Sequence, residues 1–192
     1  FLKKNIYIVL YMDSLLADRA MVQDVLNFST MFIVSRLLAG KALDDNAWMM
    51  SCLYTLLGLI AYNLIVKKIV PNNMNGVMEK VMNSVLKWGT MLLVSRLLSG
   101  EPLNNEWMMS TTYTLLGFIA FDVIVEDLLP KKVTGNKNMD IAFKNAGMIG
   151  TMLVVSRLLS GDPMDQSWSN GAMFQLVGFA TYDIVVGPMI LN

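Results

Sequence analysis

Thr30-Met31-Phe32-Ile33-Val34-Ser35-Arg36-Leu37-Leu38-Ala39-Gly40 returns as Thr90-Met91-Leu92-Leu93-Val94-Ser95-Arg96-Leu97-Leu98-Ser99-Gly100. It returns again as Thr151-Met152-Leu153-Val154-Val155-Ser156-Arg157-Leu158-Leu159-Ser160-Gly161. The copies lie 60 and then 61 residues apart. A Trp follows each terminal glycine (Trp48, Trp107, Trp168), and ten or so residues later comes Gly58, Gly117 or Gly178. Four residues further stands an aromatic, Tyr62, Phe121 or Tyr182, and directly after it Asn63, Asp122 or Asp183. A match this long at a constant period marks a duplicated structural unit.

Each unit contains two apolar stretches. The second is the cleaner: Trp48–Val66 has no charge, and its counterparts 107–125 and 168–186 carry only Asp122 and Asp183 near their far ends. At about 1.5 Å per residue such a helix nearly crosses a hydrocarbon core of about 30 Å. The first stretches, 28–39, 88–99 and 149–160, are shorter and extend upstream as amphipathic turns, with Met78, Val81, Met82, Val85 and Leu86 at helical spacing. Gly40, Gly100 and Gly161 stand where a left-handed C-cap belongs, and Pro102 and Pro163 follow two residues later. Asp45, Asn104 and Asp165, three residues before each Trp, are placed to cap the second helix.

The expected fold is therefore all-α: an integral membrane bundle of three tandem two-helix hairpins, six spans in total. The units run over residues 20–71, 74–130 and 137–192, with polar links at 72–75 and 131–138. Residues 1–19 form an apolar N-terminal segment without a signal-peptide cleavage pattern; an interfacial helix and the end of a further span both fit it.

Composition agrees. The 192 residues are 55% hydrophobic and 16% charged, against about 25% charged in soluble domains, and the mean hydropathy is +0.50. Too little polar surface remains to cover a water-soluble globule of this size. Basic and acidic residues balance at 15 each, which gives no basic field for nucleic acid. Histidine is absent, removing the commonest general base and metal ligand. Cys52, the single cysteine, has no intrachain disulfide partner. There is no phosphate-binding loop, dinucleotide fingerprint or Cys/His metal set. No enzymatic activity, cofactor or metal is expected.

Charge orients the expected spans. The turns between paired helices hold Arg36, Lys41, Arg96 and Arg157, whereas eleven Lys and Arg lie on the other side. The positive-inside rule places the termini and inter-unit links on the cytoplasmic side.

Three residue sets draw attention. Arg36, Arg96 and Arg157 each lie four residues before a terminal glycine. They read as interfacial anchors snorkelling toward headgroups, carbonyls or a carboxylate, or else as a ring of three gripping lipid phosphates or lining an anion path. Ser35, Ser95 and Ser156, with Gly58, Gly117 and Gly178, form small faces suited to close helix contact. Asn63, Asp122 and Asp183 read as polar anchors near the opposite interface.

Three two-helix repeats invite comparison with mitochondrial carriers, but the Pro-x-Asp/Glu-x-x-Lys/Arg signature is absent and the repeat is far shorter. The tandem Val-Ser-Arg-Leu-Leu hairpins, with the Asn/Lys/Met-rich character of the chain, resemble the multi-spanning inner-membrane proteins of large icosahedral DNA viruses. That resemblance implies a structural protein of a viral internal membrane, tying it to capsid-type partners. The partners expected on this reading are the lipid bilayer and other membrane or capsid-type proteins, with no nucleic acid. A small channel or transporter using the three arginines is the competing expectation.

Overall fold

A computed structural model describes residues 19–69, 76–130 and 132–191. The N-terminal segment before Arg19, the link at 72–75 and Lys131 fall outside the described residues. Helix makes up 84% of what is described, and no strand occurs among those residues. Six helices follow one another: α1 (Arg19–Leu38), α2 (Asn46–Ile69), α3 (Val77–Leu98), α4 (Asn105–Leu128), α5 (Lys137–Ser160) and α6 (Gln166–Ile190).

Local chemistry sets their ends. Gly40, Gly100 and Gly161 adopt φ of 66°, 71° and 73°, the left-handed conformation that glycine enters without a Cβ penalty, and so close α1, α3 and α5. A few residues on, a side-chain oxygen starts the next helix. Asp45 accepts from the Ala47 and Trp48 N–H groups at 3.0 and 3.2 Å, Asn104 from Trp107 at 2.9 Å, and Asp165 from Trp168 at 2.8 Å. These bonds satisfy donors that a helix start otherwise leaves open. Asn104→Ala is expected to cost about 1 kcal/mol, read as a lower unfolding midpoint in detergent. Glu106→Ala, an exposed substitution two residues on, should leave the midpoint within about 0.5 kcal/mol.

Each even-numbered helix contains one wide turn at the same place in its repeat. Tyr62–Val66, Phe121–Val125 and Tyr182–Val186 are π-helical, and the N–H of Lys67, Glu126 or Gly187 reaches back five residues to the carbonyl of Tyr62, Phe121 or Tyr182. Each wide turn begins on two consecutive inward-pointing residues. Tyr62 and Asn63 are both buried, as are Phe121 with Asp122 and Tyr182 with Asp183.

Helices pack most closely between pairs. α2 lies along α3, α4 along α5, and α6 along α1; the members of each pair, α1 with α2, α3 with α4 and α5 with α6, also touch. The same joint recurs three times. A Cβ placed on Gly58 would sit 2.6 Å from the Met91 carbonyl oxygen and 2.7 Å from its Cα; on Gly117 it would meet Met152 Cα at 2.6 Å; on Gly178 it would meet Met31 Cα at 2.7 Å. Backbone thus rests on backbone, as small residues allow where membrane helices associate.

Between the helices lies one hydrophobic cluster. Phe28, Trp88 and Ile149 occupy equivalent positions on the odd helices, and Leu59, Phe118 and Phe179 on the even ones, all six at most 7% exposed. Trp88 stacks on Phe118 with centroids 4.4 Å apart, and Phe28 meets Phe179 edge-on at 5.2 Å.

The exterior is unusually apolar. Ile33, Leu37, Leu53, Ile65, Leu97, Met108, Ile124 and Leu158 are 45–65% exposed. Three helices, α2, α4 and α6, are long and apolar enough to cross a membrane. The odd helices fall short of six expected spans by that measure, because their first halves carry charges such as Asp24, Lys80, Lys87 and Lys144. The residues buried there are apolar, Met21, Phe28 and Ala142, and the Lys80 and Lys144 side chains are 47% and 57% exposed. Met78 and Met82, from the upstream apolar stripe, are 63% and 36% exposed, while polar Asp24, Ser84 and Asn145 are turned toward the neighbouring helices.

Candidate functional site: clasped turns and an inward polar layer

The three arginines each reach into the turn that follows their own helix. Arg36 donates from Nε to the Ala42 carbonyl at 2.9 Å and from Nη2 to Asp45 Oδ2 at 2.8 Å. Arg96 donates to the Pro102 carbonyl from Nε and Nη2, at 3.2 and 3.1 Å, and pairs with Glu101. Arg157 donates to the Pro163 carbonyl at 3.0 and 2.8 Å and pairs with Asp162 at 3.1 Å. Arg36 also lies 4.9 Å from the Trp48 ring centroid, and Arg96 6.0 Å from that of Trp107. A planar fork can hold a carbonyl and a carboxylate at once; a lysine ammonium cannot match that geometry. Each guanidinium therefore pins a turn.

The Arg36 hydrogen bond, helped by the Trp48 N–H, holds the Asp45 carboxyl below the usual carboxylate range. A carboxyl with a depressed folded pKa contributes stability that is present above its unfolded value of about 3.9 and lost as pH falls through the lower folded value. Trp48 indole and backbone resonances are accordingly expected to hold steady from neutral pH down to about 4 and to shift below it. In Asp45→Asn that acid-range shift should vanish.

Of the small-residue positions, Gly58, Gly117 and Gly178 form the backbone joints described above. Ser95 Oγ faces Thr55 Oγ1 across one joint at 3.5 Å. Ser35 and Ser156 donate back to their own helices, to the carbonyls of Phe32 and Leu153.

Asn63, Asp122 and Asp183, expected as polar anchors near an interface, turn toward neighbouring helices. They are 3%, 9% and 6% exposed and face inward. Each stands four residues after a buried side chain, Leu59, Phe118 or Phe179, hence one turn on along the same helix face. Each meets the same position of its paired odd helix: Asn63 Nδ2 approaches Asp24 Oδ2 at 3.4 Å, Asp122 lies against Ser84, and Asp183 Oδ2 accepts from Asn145 Nδ2 at 2.8 Å. In the first and third repeats the couple is a carboxylate with an amide, with the two groups exchanged between helices. Asn63 Nδ2 also donates to the Leu59 carbonyl at 3.0 Å.

Asp24 ties this layer together by accepting from Lys87 Nζ at 2.8 Å, across two repeats, and Lys87 lies 5.0 Å from the Trp88 ring centroid. Asp24, Ser84, Lys87 and Asn145 escaped the sequence reading. A signal existed: Asp24, Ser84 and Asn145 stand four residues before Phe28, Trp88 and Ile149 in register, hence one turn away on the same face. Further out, Glu126 bridges Lys80 at 2.7 Å and Lys144.

No group of three or more Asp, Glu or Cys suited to a metal ion occurs among the described residues. No protein-family model, curated protein or solved structure matches this chain.

Proposed function

We propose that this protein is a non-enzymatic structural component of a membrane, three tandem hairpins closed into a six-helix bundle that holds its turns at fixed positions for partner proteins. The observation carrying this reading is the packed waist: six large side chains from all six helices fill the space between them, while the outer surface is apolar enough to face lipid. A bundle filled at its middle suits a structural role better than a conducting one. The arginine-clasped turns supply the second support, since a turn pinned by a fork, a carboxylate and an aromatic presents one shape outward. Membrane or capsid-type partners at those turns fit the viral resemblance, which rests on the repeated Val-Ser-Arg-Leu-Leu stretch. The competing channel reading needs guanidinium groups directed at a shared path, and here each is occupied by its own turn.

Reconstitution into sealed vesicles tests the proposal. The expected result is no ion flux above that of protein-free vesicles, with protease cutting the inter-unit links from one side and the clasped turns from the other. Robust flux that disappears in Arg36→Lys, Arg96→Lys and Arg157→Lys would overturn it in favour of the channel. For a pinned turn, each Arg→Lys change instead loosens that turn by about 1 kcal/mol, seen as faster amide exchange there with all helices retained.

A further inference from the structure

Above the packed waist, on the side of the inter-unit links, the bundle encloses an open-mouthed cavity of about 370 Å³. Its polar wall includes Asp24, Asn27, Lys87 and Asn145, and its aromatic residues include Phe28, Trp88 and Phe179. We propose that this cavity binds a small primary ammonium ion.

Four observations lead there. The first is a carboxylate: Asp24 lines the cavity and Asp183 backs its Asn145 wall, while Lys87, paired with Asp24, is the one cationic side chain lining it among the described residues. The second is hydrogen-bonding capacity. Asn27 Oδ1, on the cavity wall, is buried without a partner. Asp24 Oδ2 has only a long 3.4 Å contact from Asn63. Unused acceptors call for a ligand rich in N–H donors. The third is the aromatic surface, since a cation is attracted to the face of an indole or phenyl ring. The fourth is Lys87 itself: its ammonium rests between Asp24 Oδ1 and the Trp88 ring, a tethered version of the ligand class. A free amine and the ethanolamine headgroup of a lipid share this chemistry.

The full chain in detergent, with Trp48, Trp107 and Trp168 replaced by Phe, leaves Trp88 as the one indole. Titration with methylammonium chloride at constant ionic strength is expected to change Trp88 emission saturably. Tetramethylammonium, which has no N–H, should bind more weakly by about tenfold, the equivalent of losing one charge-assisted hydrogen bond. Asp24→Asn should weaken methylammonium by about tenfold or more, Asn27→Leu should weaken it less, and Lys87→Met should tighten it by freeing Asp24. In nanodiscs, phosphatidylethanolamine but not phosphatidylglycerol competes with methylammonium if the headgroup is the source; equal affinity in both identifies a free amine. No saturable response to methylammonium overturns the proposal, as does an affinity unchanged in Asp24→Asn. Should Asp24→Asn lose its helical content, unchanged affinity in both Asn27→Leu and Lys87→Met overturns it equally. Binding without flux leaves the structural role standing, so the two readings fail separately.

Discussion

Gly178→Ala is expected to lower stability by about 3 kcal/mol, at the upper end of what overpacking a closed interface costs. The added methyl would lie 2.7 Å from Met31 Cα and 2.9 Å from its carbonyl oxygen, where no side-chain rotation relieves the clash. α6 and α1 must separate, and this is the contact that joins the last helix to the first. Gly58→Ala and Gly117→Ala face the same geometry at Met91 and Met152 and should behave alike. Gly150→Ala and Gly171→Ala are the internal controls. Both glycines lie in helices, and nothing comes within 4 Å of the place an added methyl would take, so replacement should gain up to about 1 kcal/mol of helix propensity. Reversible unfolding in mixed micelles reads all five. Equal midpoints for Gly178→Ala and Gly171→Ala would remove the close backbone approach from the account.

The second large effect lies at the waist. Trp88 is 4% exposed and stacked on Phe118. Trp88→Ala is expected to cost about 3–5 kcal/mol through lost transfer energy and the cavity left behind, with about 0.5–1.5 kcal/mol more from the stack. It should also admit water to the middle of the bundle, measurable as faster amide exchange at Phe118 and Leu59. Trp88→Phe retains most of the volume and should lose less than half as much. If Trp88→Ala were as stable as the parent protein, the waist would not be the packed plug on which the structural reading depends.

Much of this architecture is legible in the residues. The glycine that closes each odd helix and the Asp or Asn that opens the next act locally, so their spacing alone places the turns. The joint glycines are also visible as small residues in an apolar run, although the sequence does not say that each meets a methionine of the next repeat. What stays hidden is the π-turn. Tyr62-Asn63-Leu64-Ile65-Val66 contains no glycine or proline to mark it. Asn63 shares a helix face with Leu59, four residues earlier, but the sequence does not say that this face turns inward. The odd helices misled for another reason. Periodicity reports that a helix has two faces but not which side chains meet a neighbour. Met78 and Met82 are exposed, while Asp24 meets Lys87 and Asn63.

The three Gly–Met joints repeat one backbone geometry, so the joint itself does not record which hairpin follows which. Order must be written elsewhere. The Asp24–Lys87 pair breaks the equivalence, because the matching positions are Ser84 and Asn145 on one side and Asn27 and Met148 on the other. Only the first and second repeats can form it. Two opposite charges thus act as an address within a nearly symmetric molecule, giving the chain a means to set the order of its own repeats.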